Sequence, residues 1–137
     1  MYKVRPTNLD SGSKCVAYAR ATGDRAKASA ESKPAAFPRD ASLTGATLSG
    51  SNLSQTNLKN ADLSGADLSD VTLIGANVSG AKLRGSNLYR VDFSGAQLDG
   101  ADFSGANLNE AILTRVDLTK VNLTAALLLD ARLGMRI

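Results

Sequence analysis

Histidine and tryptophan are absent from the 137 residues, cysteine occurs once, as Cys15, and aromatic residues make up only 4% of the chain. Each shortage excludes something. A single cysteine rules out an internal disulfide and leaves the redox compartment open. Without histidine or clustered cysteine, a transition-metal site lacks its usual ligands. With few large rings, a conventional globular core of this size would be poorly filled. No apolar run is long enough to span a bilayer, and none has the form of a secretory signal core. A large charge imbalance is missing too. The net charge of +3 splits into eight Lys or Arg against four acids in residues 1–40, and eight against nine in residues 41–137. The basic character belongs to the first forty residues, and the remainder is near neutral.

From Ala41 to Met135 a five-residue phrase is written nineteen times without a break. Ala61-Asp62-Leu63-Ser64-Gly65 and Ala101-Asp102-Phe103-Ser104-Gly105 are clear copies. The third position, the centre, is Leu in sixteen units, Phe at Phe93 and Phe103, and Val at Val78. Two residues earlier stands Ala in twelve units, or Ser51, Ser86, Thr56, Val71, Val91, Val116 or Val121. Residues two apart share one side of an extended chain, so the small residue and the centre face the same way. The residue between them, such as Asn52, Asp62 or Asn77, faces outward. Nine of the twelve glycines fall at the fifth position. This suits a type II turn, whose second central residue has positive φ. Bulky corner residues at Arg90, Glu110, Arg115 and Lys120 are therefore expected to adopt another turn. Period five fits neither an amphipathic helix nor an alternating strand. It describes a polygon with an inner wall of Leu and Ala.

A fixed short period over most of a chain marks a solenoid. The phrase resembles the A-(D/N)-L-x-x signature of the pentapeptide repeat family, and the resemblance covers residues 41–135. It implies an all-β fold, a right-handed quadrilateral β-helix with four repeats per coil. Nineteen repeats then make 4.75 coils, roughly 23 Å long at the usual strand spacing. Twenty residues per coil place Leu43, Leu63, Leu83, Phe103 and Leu123 in one inner stack. Leu53, Leu73, Phe93, Leu113 and Leu133 form the opposite one, and the rings of Phe93 and Phe103 are expected to meet across the interior.

Residues 1–40 fall outside the phrase. Lys14 to Ser32 is rich in Ala, Lys, Arg and Ser and reads as a weak helix, with Pro34 and Pro38 breaking the chain before the solenoid. An ordered cap, a targeting segment similar to a plastid transit peptide, and a basic leader are three readings of it, and bacterial cytoplasm or plastid is the expected compartment. Residues 136–137 form a short tail. At the other end, Leu127 and Leu129 take outward positions, Ile112 is outward three units earlier on the next face, and Met135 and Ile137 finish the sequence. Apolar groups gathered there point to an interaction end. Some members of the family dimerise through their C-terminal coils, so the resemblance makes a homodimer one reading of that end.

No catalytic constellation emerges. The acids form surface columns such as Asp62, Lys82, Asp102 and Asp70, Arg90, Glu110, Asp130, and no serine has a base. No enzymatic activity, cofactor or metal is expected. Lys82, Arg84, Tyr89 and Arg90 make a basic cluster that would suit an acidic partner. In it Arg84, between Ser64 and Ser104, is expected to be unpaired, and the rest reads as a solvated face, so no nucleic acid is expected. The resulting function is a non-enzymatic scaffold for an unidentified protein partner. The alternative that the resemblance raises, a DNA-mimicking protector of a type II topoisomerase, asks for an acidic rod, which the balanced charge does not supply.

Overall fold

The computed structural model describes residues 43–134, and the expectations for residues 1–40, Met135 and Ile137 lie outside them. The described residues contain no helix. They form an all-β solenoid with a corner every five residues. Parallel bridges join Thr47 to Asp67, Asn52 to Thr72, Asn57 to Asn77 and Asp62 to Lys82, always twenty residues apart, so four repeats close one coil. One five-membered ladder runs Thr47, Asp67, Asn87, Asn107, Leu127 down one face, and another runs Asn52, Thr72, Asp92, Ile112, Arg132 down the next. Strand β1, Ile112–Leu113, pairs in parallel with β2, Arg132–Leu133.

Three hydrogen bonds repeat on each side, and they explain why five residues suffice. The N–H of a centre donates to the outward residue of the next coil, as Leu43 does to the Asp62 carbonyl at 2.7 Å. The outward N–H donates back to the small residue of the coil before, as Asp67 does to Ala46 at 2.9 Å. The corner N–H reaches the next corner, as Gly45 does to Ser64 at 3.0 Å. Across each corner the small residue's N–H bonds to the centre three residues earlier, Ala46 to Leu43 at 2.9 Å, which is the bond of a β-turn.

The glycine corners have the positive φ of type II turns, from 62° at Gly85 to 75° at Gly100. The bulky corners do not behave as expected. Arg90, Glu110 and Arg115 also sit at φ 59°, 60° and 56°, as do Gln55, Asn60, Asp70, Ala125 and Asp130 at 57° to 64°. Only Lys120 departs from this set among the corners from Gly45 to Asp130. A side chain at positive φ costs on the order of 1–2 kcal/mol. The axial bonds override that preference. Arg90, for instance, must donate to the Asn109 carbonyl at 3.0 Å while the centres on either side stay inside. At Lys120 the ladder slips instead: Gly100 donates to Lys120 itself, whereas Gly80 one coil earlier donates to the fourth-position residue Asp99.

Inside, the centres and small residues form one continuous core from Leu43 to Val116. Phe93 and Phe103 meet edge to face with centroids 5.5 Å apart, as the half-coil offset requires. Burying a Leu contributes roughly 1.5–3 kcal/mol, so these stacks supply most of the stability. Ser51 and Ser86 fit the small position because their hydroxyls donate to the Leu48 and Leu83 carbonyls at 2.5 and 2.7 Å. The Thr56 hydroxyl is buried without a hydrogen-bond partner.

Candidate interaction surfaces

The outward position between small residue and centre is where the repeat meets solvent, and its Asp and Asn have a structural task. Their Oδ1 accepts the N–H two residues on, the turn residue that the axial ladder leaves over. Asn52 does this for Ser54 at 3.1 Å, Asp62 for Ser64 at 3.0 Å, Asn87 for Tyr89 at 3.2 Å and Asn107 for Asn109 at 3.0 Å. An Asx turn of this kind secures each corner from outside. The outward-facing polarity was evident in the sequence, whereas this acceptor role was not. The signal was the constant two-residue spacing from Asp or Asn to the first turn residue.

Face by face, the surface sorts into ladders. Asp62, Lys82, Asp102 and Asn122 are bridged in sequence. Contrary to the expectation of a free guanidinium, Arg84 pairs with Asp102, Nε to Oδ2 at 2.5 Å. The column arithmetic considered only axial neighbours, Ser64 and Ser104, whereas a long arginine side chain crosses diagonally to the adjacent column. Hydrogen bonds from Arg84 and from the Ser104 N–H hold the Asp102 carboxyl down to about 2. Asp62 is lowered mainly by its Ser64 hydrogen bonds, with help from Lys82 and Arg84. Arg90 lies 3.4 Å from Asp70, and the Tyr89 hydroxyl donates to Glu110 at 2.7 Å, which pushes the phenol's pKa up. Three of the four members of the basic cluster thus have carboxylate partners, and Lys82 lies in register between Asp62 and Asp102. The cluster is an ion-pair ladder and offers little free positive charge to an acidic partner.

A shallow groove of about 540 Å³ runs along the next edge, lined by Asp70, Arg90, Glu110, Asp130, Asp92 and Arg132, with Ile112 among them. Ile112 is half-buried in this groove and bridged to Arg132, so it stands apart from the leucines with which the sequence grouped it. Among the described residues no group of His, Cys, Asp or Glu is arranged to hold a metal ion, and no helix is long and apolar enough to cross a membrane.

The last coil differs in kind. Leu127 and Leu129 project outward, 55% and 70% exposed, and Leu133 beside them is 52% exposed. Neither Leu127 nor Leu129 has turned into the core, where Ala126 and Leu128 already occupy the inner positions. Leu127 cannot accept the Leu129 N–H as Asn107 accepts that of Asn109. The Asn109 side chain of the coil before does so instead, at 2.8 Å. The corner therefore keeps its shape, with Asp130 at φ 58°, while its surface turns apolar. Around the same rim the inner residues Leu118, Val121, Leu123, Ala126 and Leu128 are only partly buried.

A four-sided β-solenoid of five-residue repeats, with securing Asx turns and polar ladders on its faces, defines a class of rod whose surfaces are columns of side chains. The model of that class, pentapeptide repeats, matches in four overlapping stretches, residues 39–73, 51–90, 66–105 and 86–124. The chain belongs to the pentapeptide repeat family. Among solved structures it is similar to a pentapeptide repeat protein of the Arabidopsis thaliana thylakoid lumen, at 27% identity and TM-score 0.61, over 64% of this chain and 61% of that one. It is also similar to a pentapeptide repeat protein from Nostoc PCC 7120, at 40% identity and TM-score 0.55, over 56% of this chain and 64% of that one. The plasmid-mediated fluoroquinolone resistance protein QnrB1 aligns at 24% identity and TM-score 0.48, over 75% of this chain and 57% of that one. The chain spans less than two thirds of the length of each of these structures. No curated protein sequence matches it.

Proposed function

We propose that this protein is a non-enzymatic interaction scaffold whose C-terminal coil is its docking end, for a second copy or for another protein. The observation that carries the reading is the change within one ladder from Thr47, Asp67, Asn87 and Asn107 to an exposed Leu127, with Leu129 beside it. An apolar pair on a rigid, hydrogen-bonded rim is the ordinary mark of a protein interface. In this reading residues 1–40 are a leader or cap, residues 41–135 a right-handed rod of 4.75 coils, and residues 136–137 a tail. The Arg-, Ala- and Ser-rich leader supports a plastid address, with the bacterial cytoplasm as the other assignment. Mimicry of duplex DNA is the weaker function, because basic and acidic residues alternate along the ladders and neutralise one another. The test is a cross-linked pull-down from native extract with wild type and the Leu127→Asp/Leu129→Asp variant. The scaffold reading expects a partner retained by the wild type and lost by the variant. Equal capture by both would move the docking surface elsewhere.

A further inference from the structure

We infer that the rod has a gate in its wall: the segment 116–119 opens outward by itself and uncovers the inner edge of residues 96–98, while the coils around it stay closed. This goes beyond the docking-end reading and does not depend on it. The observations are four departures from the repeat, and all of them meet on one side of the rod between two described coils. Every other centre from Leu43 to Leu108 donates its N–H to the coil that follows, whereas the Leu98 N–H has no partner among the described residues. Every other small residue from Ala46 to Ala111 accepts from that coil, whereas the Ala96 carbonyl has no partner among them. The turn bond is missing at the Val116 N–H, although Ala111 and Val121 on either side make theirs to Leu108 and Leu118 at 3.1 and 3.2 Å. At the far end of the segment Gly100 makes its slipped bond to the Lys120 carbonyl, at the one corner residue outside the positive-φ set.

The other faces of the same two coils are intact, so the defect is local. Phe103 donates to Asn122 at 2.8 Å and Asn122 to Ala101 at 3.0 Å. On the face opposite the gap, Leu108 donates to Leu127 at 2.7 Å and Leu127 to Ala106 at 2.9 Å. One coil earlier the gapped face is laced as well, Val78 to Gln97 at 2.8 Å and Gln97 to Ala76 at 2.9 Å. Packing marks the same place. Ala96 and Val116 are each 5% exposed, whereas every other buried apolar residue is at 1% or less. A valine at the small position is not sufficient cause, because Val121 stands below Ala101 and the rung there is complete. Asp117 is engaged within its own segment, where its Oδ1 accepts the Thr119 N–H at 2.9 Å and the Thr119 hydroxyl at 2.6 Å. Residues 117–119 therefore keep their own Asx turn. Lifting the segment breaks no hydrogen bond to Ala96 or Leu98, whereas lifting its counterpart on any other side of that coil breaks two or more. Local opening favours the element with the fewest such ties.

Amide hydrogen exchange of the full chain reads the gap without a substitution. The Leu98 amide should exchange roughly a hundredfold or more faster than that of Val78, one coil earlier in the same column. Thiol labelling then reads the opening itself, with Ala96→Cys and Ala76→Cys each made in a Cys15→Ser background. Both stand in one inner column, at a position of the repeat that elsewhere accepts Ser51, Thr56 and Val71. Ala96→Cys should react with a small thiol reagent roughly a hundredfold or more faster than Ala76→Cys. Its rate should barely change in low urea, because a local opening exposes little surface, whereas that of Ala76→Cys should rise steeply. Should Ala96→Cys fail to fold, Val116→Cys against Val91→Cys gives the same reading. Equal protection of Leu98 and Val78 overturns the inference, since the rung is then formed in solution. A fast Leu98 amide with both thiols equally slow overturns it too, because the gap is then fixed and the segment does not open.

Discussion

Leu88 and Leu128 stand in the same inner column two coils apart, in the same five-residue setting, yet one is sealed and the other half open. The same holds for Leu83 and Leu123, and, three coils apart, Leu73 is sealed and Leu133 exposed. Burial in this fold is therefore not a property of the repeat. It is conferred by the coil on each side, as expected of a chain whose stability is a sum of nearest-neighbour stacking terms. The outer surface follows the opposite logic. Middle coils show Asp and Asn that cap their own corners, and the last coil keeps such caps at Asp117 and Asn122, whereas its corner with Leu127 and Leu129 borrows a cap from Asn109. A middle coil is covered on both sides, whereas the inner residues Leu118, Leu123 and Leu128 are only partly covered.

Substitutions that separate the two regions can test that contrast. The largest effect should come from Phe93→Ala, which opens the interior beneath the Phe103 ring and should cost about 3–5 kcal/mol in denaturant unfolding. Leu83→Ala should cost about 2–5 kcal/mol, and Leu123→Ala, two coils further along the same column, clearly less. Equal losses at the two leucines would break the comparison. Gly80→Ala should follow at about 1–2 kcal/mol. Its backbone lies at φ 68°, and an added Cβ would run into the Asn60 side-chain oxygen. Thr56→Val, which removes a buried hydroxyl with no partner, should stabilise by about 1 kcal/mol.

The smallest effect expected is that of Arg84→Ala near neutral pH, since the guanidinium is largely exposed and its ion pair is screened by solvent. Its pH dependence fixes the cause. Asp102 is depressed to about 2 from an ordinary 3.8, so its contribution is present above the unfolded value and lost as pH falls from about 4 toward about 2. The gap between wild type and variant should close over that window. A gap that persists undiminished down to pH 2 would mean that Arg84 acts through packing.

The repeat and its inner and outer positions were legible in the sequence, because a two-residue spacing within a fixed period leaves one arrangement of inside and outside; the twenty-residue coil, and with it the inner stacks and the Phe93–Phe103 contact, followed from the resemblance to the family. The outward leucines at 127 and 129 were legible for the same reason. What escaped was whatever depends on energy balanced between neighbours. Positive φ at Arg90, Glu110 and Arg115 runs against residue preference, and only the axial ladder reveals why it is tolerated. Arg84 reaches diagonally to Asp102, which a count of axial neighbours cannot register. Ile112 reads as another exposed apolar residue until Arg132 is seen bridged beside it in the groove. The slip at Lys120 has no signal in the phrase, which continues through it unbroken.

Amide hydrogen exchange, read residue by residue, tests the central claim most directly. The Leu83 and Leu88 amides, which donate to the next coil, should be strongly protected, and those of Leu123 and Leu128 should exchange fast. The amides of Ala125 and Asp130, on the same rim, should exchange with them. Exchange at the terminal coil as slow as in the middle coils would contradict the account.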